Sequence, residues 1–195
     1  EKAKMYENAY KKFTEAGYEA IGMDHFCRPN DEFYLALKNN QLHRNFQGYC
    51  TTKTTGQVYG FGASSISQLF SAYSQNVKNA AQYIKKINEK NTAVLRGYNL
   101  NKNEKIIRDV INSIMCNYYV DFSEISERFN TNSKNIKEIL DFKDEKFNEF
   151  LDLNLMKIKN DTVSISHDAR LFIRNIAMEF DPLLNNKIGT YSKTI

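Results

Sequence analysis

The sequence predicts a mixed α/β chain, α+β overall: the last strands and helices of a partial TIM-like barrel, followed by a helical, winged-helix-like C-terminal module. Three observations predict it. The first 95 residues alternate helical and extended patterns, with polar clusters at the carboxyl ends of the extended runs, where α/β barrels collect their sites. Only two prolines and eight glycines interrupt 195 residues, which favours a helix-rich chain. Near the carboxyl end, two alternating runs flank Asn160-Asp161 as a hairpin, after a series of short helical patterns. The division gives two domains, residues 1–95 and residues 96–195.

Each element has a local reason. Residues 3–16 place Met5, Tyr6, Ala9, Tyr10 and Phe13 at helical spacing, and Gly17 supplies a stop. Residues 18–26 read as a buried strand with polar Asp24 and His25 near its end. Pro29-Asn30-Asp31 turns the chain into a short helix over residues 32–39. Residues 42–55 read as an extended excursion. Residues 57–65 read as a second strand, laced with Gly60 and Gly62 so that a ligand can approach the backbone. Residues 66–90 read mostly as helix, from Leu69, Phe70 and Tyr73 to Ala80, Ala81, Ile84 and Ile87. The character changes near Arg96. Asn101 and Glu104 form a capping pair ahead of the apolar stripe Ile106, Ile107, Val110, Ile111, Ile114 and Met115. Short helices follow over residues 122–129, 133–140 and 143–153; the runs 155–159 and 162–166 make the hairpin, and residues 167–180 the last helix. There is no internal repeat and no low-complexity segment.

Composition narrows the function classes. Apolar residues at 42% and charged residues at 26% are ordinary for a soluble globular protein. A net charge of +4 neither demands nucleic acid nor excludes an acidic small ligand. In the tail, Lys134, Lys137, Lys143 and Lys146 alternate with Glu138, Asp141, Asp144, Glu145 and Glu149, so the surface predicts packing against protein and no nucleic-acid partner. No apolar run approaches the roughly 18 residues of a membrane span. The opening Glu1-Lys2-Ala3-Lys4-Met5-Tyr6 lacks the apolar core of a signal peptide and an initiator Met, which is the expectation for a chain with a further upstream part. Cys27, Cys50 and Cys116 are odd in number and far apart, with no CxxC or CxxxCxxC spacing. They predict reduced thiols of a cytoplasmic protein and no iron–sulfur or zinc site.

Two segments concentrate chemistry. The stretch His43-Arg44-Asn45-Phe46-Gln47-Gly48-Tyr49 puts a cation-capable pair, an aromatic, a carboxamide and a phenol within seven residues. The second, Gly60-Phe61-Gly62-Ala63-Ser64-Ser65-Ile66-Ser67, is glycine-laced and rich in serine. Phe46 and Tyr49 alone fit a core; Gln47 between them is harder to bury, because an amide needs partners. Arg28, His43 and Arg44 are candidates for holding carboxylates, since guanidinium groups pair with them at two points; the alternative is a solvated loop cluster. His25 reads as a hydrogen-bonded structural histidine. Gly60-Phe61-Gly62 lacks the third glycine and following helix of a dinucleotide fingerprint, so a Rossmann reading is rejected.

In order, Gly17-Tyr18, Ile21-Gly22-Met23-Asp24-His25-Phe26, Arg28-Pro29, Leu42-His43-Arg44-Asn45-Phe46-Gln47-Gly48-Tyr49 and Gly60-Phe61-Gly62 resemble the oxygen-independent coproporphyrinogen III oxidases, radical S-adenosylmethionine (SAM) enzymes. Ile107-Arg108-Asp109-Val110-Ile111, Cys116-Asn117 and Ile173-Arg174-Asn175-Ile176 extend the resemblance along nearly the whole chain. The related radical SAM haem chaperones carry a shorter loop ending in Tyr-Trp, and this chain has no Trp.

The resemblance implies an oxidoreductase of haem (porphyrin) biosynthesis that converts coproporphyrinogen III to protoporphyrinogen IX without oxygen. It implies a [4Fe–4S] cluster on an upstream CxxxCxxC motif, an electron donor, and SAM cleaved to a 5′-deoxyadenosyl radical. That radical removes a hydrogen from a propionate β-carbon, and carbon dioxide leaves as the vinyl group forms. By correspondence, Phe46, Gln47 and Ile66 match residues lining the SAM region, and the side chains of Gln47 and Ile66 are expected to meet at one pocket. No catalytic residue or metal ligand is assigned within these residues. Arg28, His43 and Arg44 as substrate partners rest on charge, not on the resemblance. The chain is expected to be the C-terminal half of such an enzyme, inert alone, and to self-associate through an uncovered strand edge and apolar faces. The alternatives are a haem-chaperone-like paralogue and a stand-alone winged-helix binding module.

Overall fold

The computed structural model describes residues 1–184, and every strand pairing in it is antiparallel. The chain is mixed α/β as the sequence predicts. A barrel strand needs parallel neighbours, however, and the described residues supply none. Four small sheets take their place.

Helix α1 (Lys2–Glu15) ends at Gly17, whose φ of +79° suits glycine. Its Phe13 stacks on Phe26 at 4.7 Å and meets Tyr18 edge-on, so α1 lies against β1 (Glu19–Ile21) and β2 (His25–Cys27). These two strands replace the single strand expected over residues 18–26. Gly22 takes φ +58°, a left-handed turn that folds the run back on itself and pairs Ile21 with His25. Helix α2 (Glu32–Lys38) follows where expected. Asp31 accepts the Phe33 N–H at its start, and Glu32 and Lys38 complement the helix dipole at its two ends.

The extended excursion of residues 42–55 is a hairpin of β3 (Leu42–Asn45) and β4 (Gly48–Thr51), with Phe46-Gln47 at its tip. The strand expected over residues 57–65 is a looped segment with one bridge, Val58 to Gln68. Positive φ at Gly62 and Ser64 breaks its extension. The helix expected over residues 66–90 begins only at Ala80. Before it come β5 (Ile66–Gln68) and β6 (Ala72–Asn76), then α3 (Ala80–Lys90), capped by Asn79, and β7 (Val94–Asn99) pairs back on β6. Pairing of β6 with both β5 and β7 overrides the helical spacing of Leu69, Phe70 and Tyr73. The boundary expected after residue 95 falls inside β7.

Helix α4 (Lys102–Asn117) opens on the expected Asn101–Glu104 capping box, with both reciprocal bonds present, and buries Ile106, Ile107, Val110 and Ile114. Strand β8 (Tyr119–Asp121) leads into α5 (Phe122–Arg128), α6 (Ser133–Ile139), and a 3-10 turn (Asp144–Phe147) continuing as α7 (Asn148–Asp152). The predicted hairpin is β9 (Met156–Lys159) and β10 (Thr162–Ile165), with Asn160 at φ +56° between them. The last helix expected over residues 167–180 is a 3-10 turn (His167–Phe172) running into α8 (Ile173–Met178). The sheet order β8-β10-β9 lays the hairpin beside the strand that follows α4. Around α4 lies the main core, in which Phe142, Phe147 and Phe180 pack ring to ring at 4.8–5.9 Å.

A second, small core holds Ile21, Cys27, Ala36, Leu42 and Cys116, and joins the amino-terminal hairpins to α4. Two polar contacts fix the same joint. The Asn117 amide makes a two-point clasp with the Leu42 backbone, 3.1 Å each way, and the Tyr118 hydroxyl donates to the Gly22 carbonyl at 2.5 Å.

Candidate functional site

The tip of the β3–β4 hairpin is held from both sides. Asn45 accepts the Gln47 N–H through Oδ1 at 2.9 Å, and the Phe46 N–H donates to Gln68 Oε1 at 3.0 Å. Gln68 is 8% exposed and lies in β5, two residues after Ile66. This amide buckles the tip onto β5 while the Phe46 ring (46% exposed) and Ile66 (37% exposed) keep apolar surface in solvent. The structure therefore ties Phe46 to the strand that carries Ile66. The open cavity beside Ile66, about 320 Å³, is walled by β5, β6 and β7 residues including Tyr73, Gln75, Arg96 and Tyr98, and Gln47 is not among its walls.

His43 and Arg44, adjacent in sequence, face opposite sides of β3 because side chains alternate on a strand. The His43 ring rests on Gly56, where a Cβ would fall 2.7 Å from Cδ2, and Gly56 also sits at φ +65°. Burial pushes the imidazole pKa down; Asp109 opposes this, and Arg108 and Arg128 add to it. His43 lines a cavity of about 130 Å³ with Asp109, Asn112, Asn117, Asp121 and Arg128. Arg128 Nη1 bridges to Asp109 Oδ2 at 2.8 Å across its wall.

On the other face, the Arg44 guanidinium lies 5.3 Å over the Tyr49 ring. Tyr49 occupies the space that Gly22 leaves, since a Cβ there would come within 1.7 Å of the phenol oxygen, which accepts the Met23 N–H at 3.3 Å. Burial pushes that phenol's pKa up. His25 meets the Tyr49 ring edge-on at 4.9 Å and bonds Asp24 at 2.7 Å. Arg28 is elsewhere, 4.4 Å over Tyr18. The three candidate cations thus have three different partners, and they do not form a joint carboxylate clamp.

Sequence reasoning missed the charged junction on α4. Arg108 Nη2 donates to the Phe70 carbonyl at 2.6 Å and Nη1 to the Leu69 carbonyl at 3.4 Å, holding the β5–β6 turn against α4, while Asp109 pairs with Arg128. The signal was present. Arg108-Asp109 is a charged pair set inside an otherwise apolar helical stripe, and such an interruption needs partners. The cysteines read differently in space. Cys27 and Cys116 share the small core, all three thiols are free, and burial pushes Cys116 up to about 12.

No protein-family model matches the chain. Over 194 residues it is 36% identical to the oxygen-independent coproporphyrinogen III oxidase of Salmonella typhimurium, covering 96% of this chain and 40% of that protein. Over 196 residues it is 34% identical to the protein of the same name from Helicobacter pylori, covering 100% of this chain and 42% of that one. Among solved structures, coproporphyrinogen III oxidase from Escherichia coli, described as a radical SAM enzyme, superposes with a TM-score of 0.82 at 34% identity, over 91% of this chain and 40% of that one. In sequence and in fold the chain is thus similar to the oxygen-independent coproporphyrinogen III oxidases, and it spans about two-fifths of the length of these three relatives.

Proposed function

We propose that this chain is the C-terminal part of an oxygen-independent coproporphyrinogen III oxidase, a radical SAM oxidoreductase of haem biosynthesis. The observation that carries the proposal is the overlap with the Escherichia coli oxidase: 91% of this chain at a TM-score of 0.82 and 34% identity. In this reading residues 1–95 are the C-terminal part of the radical SAM barrel domain of the whole enzyme, and residues 96–195, of which 185–195 lie outside the described residues, form a winged-helix-like module. The order α4, β8, α5, α6, then the β9–β10 wing, supports the second part. The whole enzyme would convert two propionates of coproporphyrinogen III to vinyl groups with loss of carbon dioxide, giving protoporphyrinogen IX.

A [4Fe–4S] cluster does not fit the residues described. Among them no group of three His, Cys, Asp or Glu side chains is arranged for a metal, and two of the three cysteines are buried in one core. The chain alone is proposed to be inert. SAM fits better. Phe46 and Ile66 offer apolar surface, and the exposed Gln47 amide has no protein partner among the described residues, so these three would contact the adenosyl group. When bound in the whole enzyme, with an electron donor, SAM would supply the hydrogen-abstracting radical. Arg28, His43 and Arg44 are proposed on charge alone as carboxylate partners, acting singly. No described helix is long and apolar enough to cross a membrane.

The test is anaerobic assay of a longer protein that contains this stretch, with SAM, a strong reductant and coproporphyrinogen III. Protoporphyrin fluorescence after oxidation is expected, with 5′-deoxyadenosine as co-product. The 195-residue chain alone should give neither. SAM cleavage by this chain alone overturns the proposed inertness; haem binding by the longer protein with coproporphyrinogen left intact overturns the oxidase reading.

A further inference from the structure

Between the β5–β6 turn and helices α4 and α5 lies a cleft of about 370 Å³ that none of the functional assignments above uses. Its walls include Phe70, Lys102, Lys105, Arg108, Asp109 and Arg128. We propose that this cleft is a carboxylate-binding site for an amphiphilic polycarboxylate, a ligand that carries several carboxylates on an apolar frame. The choice of ligand rests on the oxidase reading, because coproporphyrinogen III has that chemistry; the site itself rests on the residues.

Four cations and one carboxylate line the cleft. Asp109 is its only acidic wall among the described residues, and its charge goes to Arg128 at 2.8 Å. Among the described residues the cations also contact neutral groups. Arg108 donates to the carbonyls of Leu69 and Phe70, Lys102 Nζ lies 3.5 Å from the Asn130 carbonyl, and Lys105 Nζ stands 5.2 Å over the Phe70 ring. Hydrogen bonds to carbonyls hold these groups in place without cancelling their charge, so the cleft keeps a positive field that concentrates anions. Nearby Glu104 is committed to the Asn101 N–H and the Tyr98 phenol.

The rim decides between kinds of anion. Phe70 is 64% exposed at one edge, and Phe129 contributes a second ring, so an apolar body would find surface beside the charges. Free backbone amides at a helix start would have favoured a bare phosphate. At α4 the Asn101 side chain already accepts the Glu104 N–H, and the capping box closes that option. Carboxylates held by lysines above an aromatic edge match what the cleft offers.

The test uses this chain as it stands, titrated by absorbance with coproporphyrin III, the stable oxidised tetracarboxylate, and by calorimetry with tricarballylate and with inorganic phosphate. Lys102→Ala with Lys105→Ala is the test variant, and Lys85→Ala with Lys86→Ala on α3 is the charge-matched control. Circular dichroism checks that both fold. Coproporphyrin III should bind, lose about tenfold in affinity in the test variant and less than about twofold in the control, and weaken as salt rises. Absence of binding, binding indifferent to Lys102 and Lys105, binding of tricarballylate without coproporphyrin III, or a lysine dependence confined to phosphate each overturns the site. Failure of oxidase activity in the longer protein, with this binding intact, would sink the oxidase reading and leave the site standing.

Discussion

The two flanks of α4 differ in how they treat apolar surface. On one flank, α5, α6, α8 and the β8-β10-β9 sheet close over Ile106, Val110, Ile114, Phe122, Phe147 and Phe180, all fully buried. On the other, β5, β6, β7 and α3 bury little. No residue of α3 is buried, all six positions of β7 are exposed, and Phe61 is 88% exposed. The first flank carries its own core. The second presents Tyr59, Phe61, Ile84 and Leu95 as exposed apolar surface.

The largest expected effect separates the flanks directly. Phe147→Ala, in the ring cluster with Phe142 and Phe180, should cost about 3–5 kcal/mol in urea unfolding. Phe61→Ala should fall within about 0.5 kcal/mol of zero. Equal costs would erase the contrast. Solution state gives a second contrast. The open flank should drive self-association in sedimentation equilibrium, and Phe61→Ser with Leu95→Ser should shift the population toward monomer. A monomeric parent chain would refute this.

The joint between the flanks should be intermediate in sensitivity. Gly22→Ala puts a Cβ against the Tyr49 phenol at a left-handed φ, so it adds backbone strain and expels a ring. A loss of about 2–3 kcal/mol is expected from strain plus hydrogen bonds. Tyr49→Phe, which loses only the bond from the Met23 N–H, should cost about 1 kcal/mol. If the two substitutions cost the same, the close approach of Gly22 and Tyr49 has been misread.

Sequence legibility followed the same division. The capping box at Asn101 and Glu104, the short helices and the Asn160-Asp161 hairpin were readable because their signals are local: a side chain and an amide three residues apart, or a turn flanked by alternation. The β1–β2 turn and the β5–β6–β7 sheet were not. Their reasons lie far away in sequence: Gly22 is required by Tyr49, and the β5–β6 turn is held by Arg108. In the site, residues 43–49 form the β3–β4 hairpin, and Phe46 is tied to β5 by Gln68, a residue with no local signal of its own in the sequence. Reading residues 42–55 as an excursion hid the alternation of β3. Alternation alone would have parted His43 from Arg44.

The smallest effect tests the inner face of that strand. Burial is the chief cause that lowers the His43 pKa in the folded chain below the ordinary 6.5. As pH falls through 6.5, the unfolded chain takes up a proton that the folded chain resists, so stability present at pH 7.5 declines on acidification and levels off below the folded value. Asp109 raises the imidazole pKa while Arg108 and Arg128 lower it, so the decline should be modest. His43→Gln removes the titration, and the fall in urea midpoint between pH 7.5 and pH 5.5 should shrink relative to the parent chain, whatever the variant's stability at pH 7.5. A slope unchanged in His43→Gln would place the half-buried histidine elsewhere than between Gly56 and the Asp109–Arg128 pair.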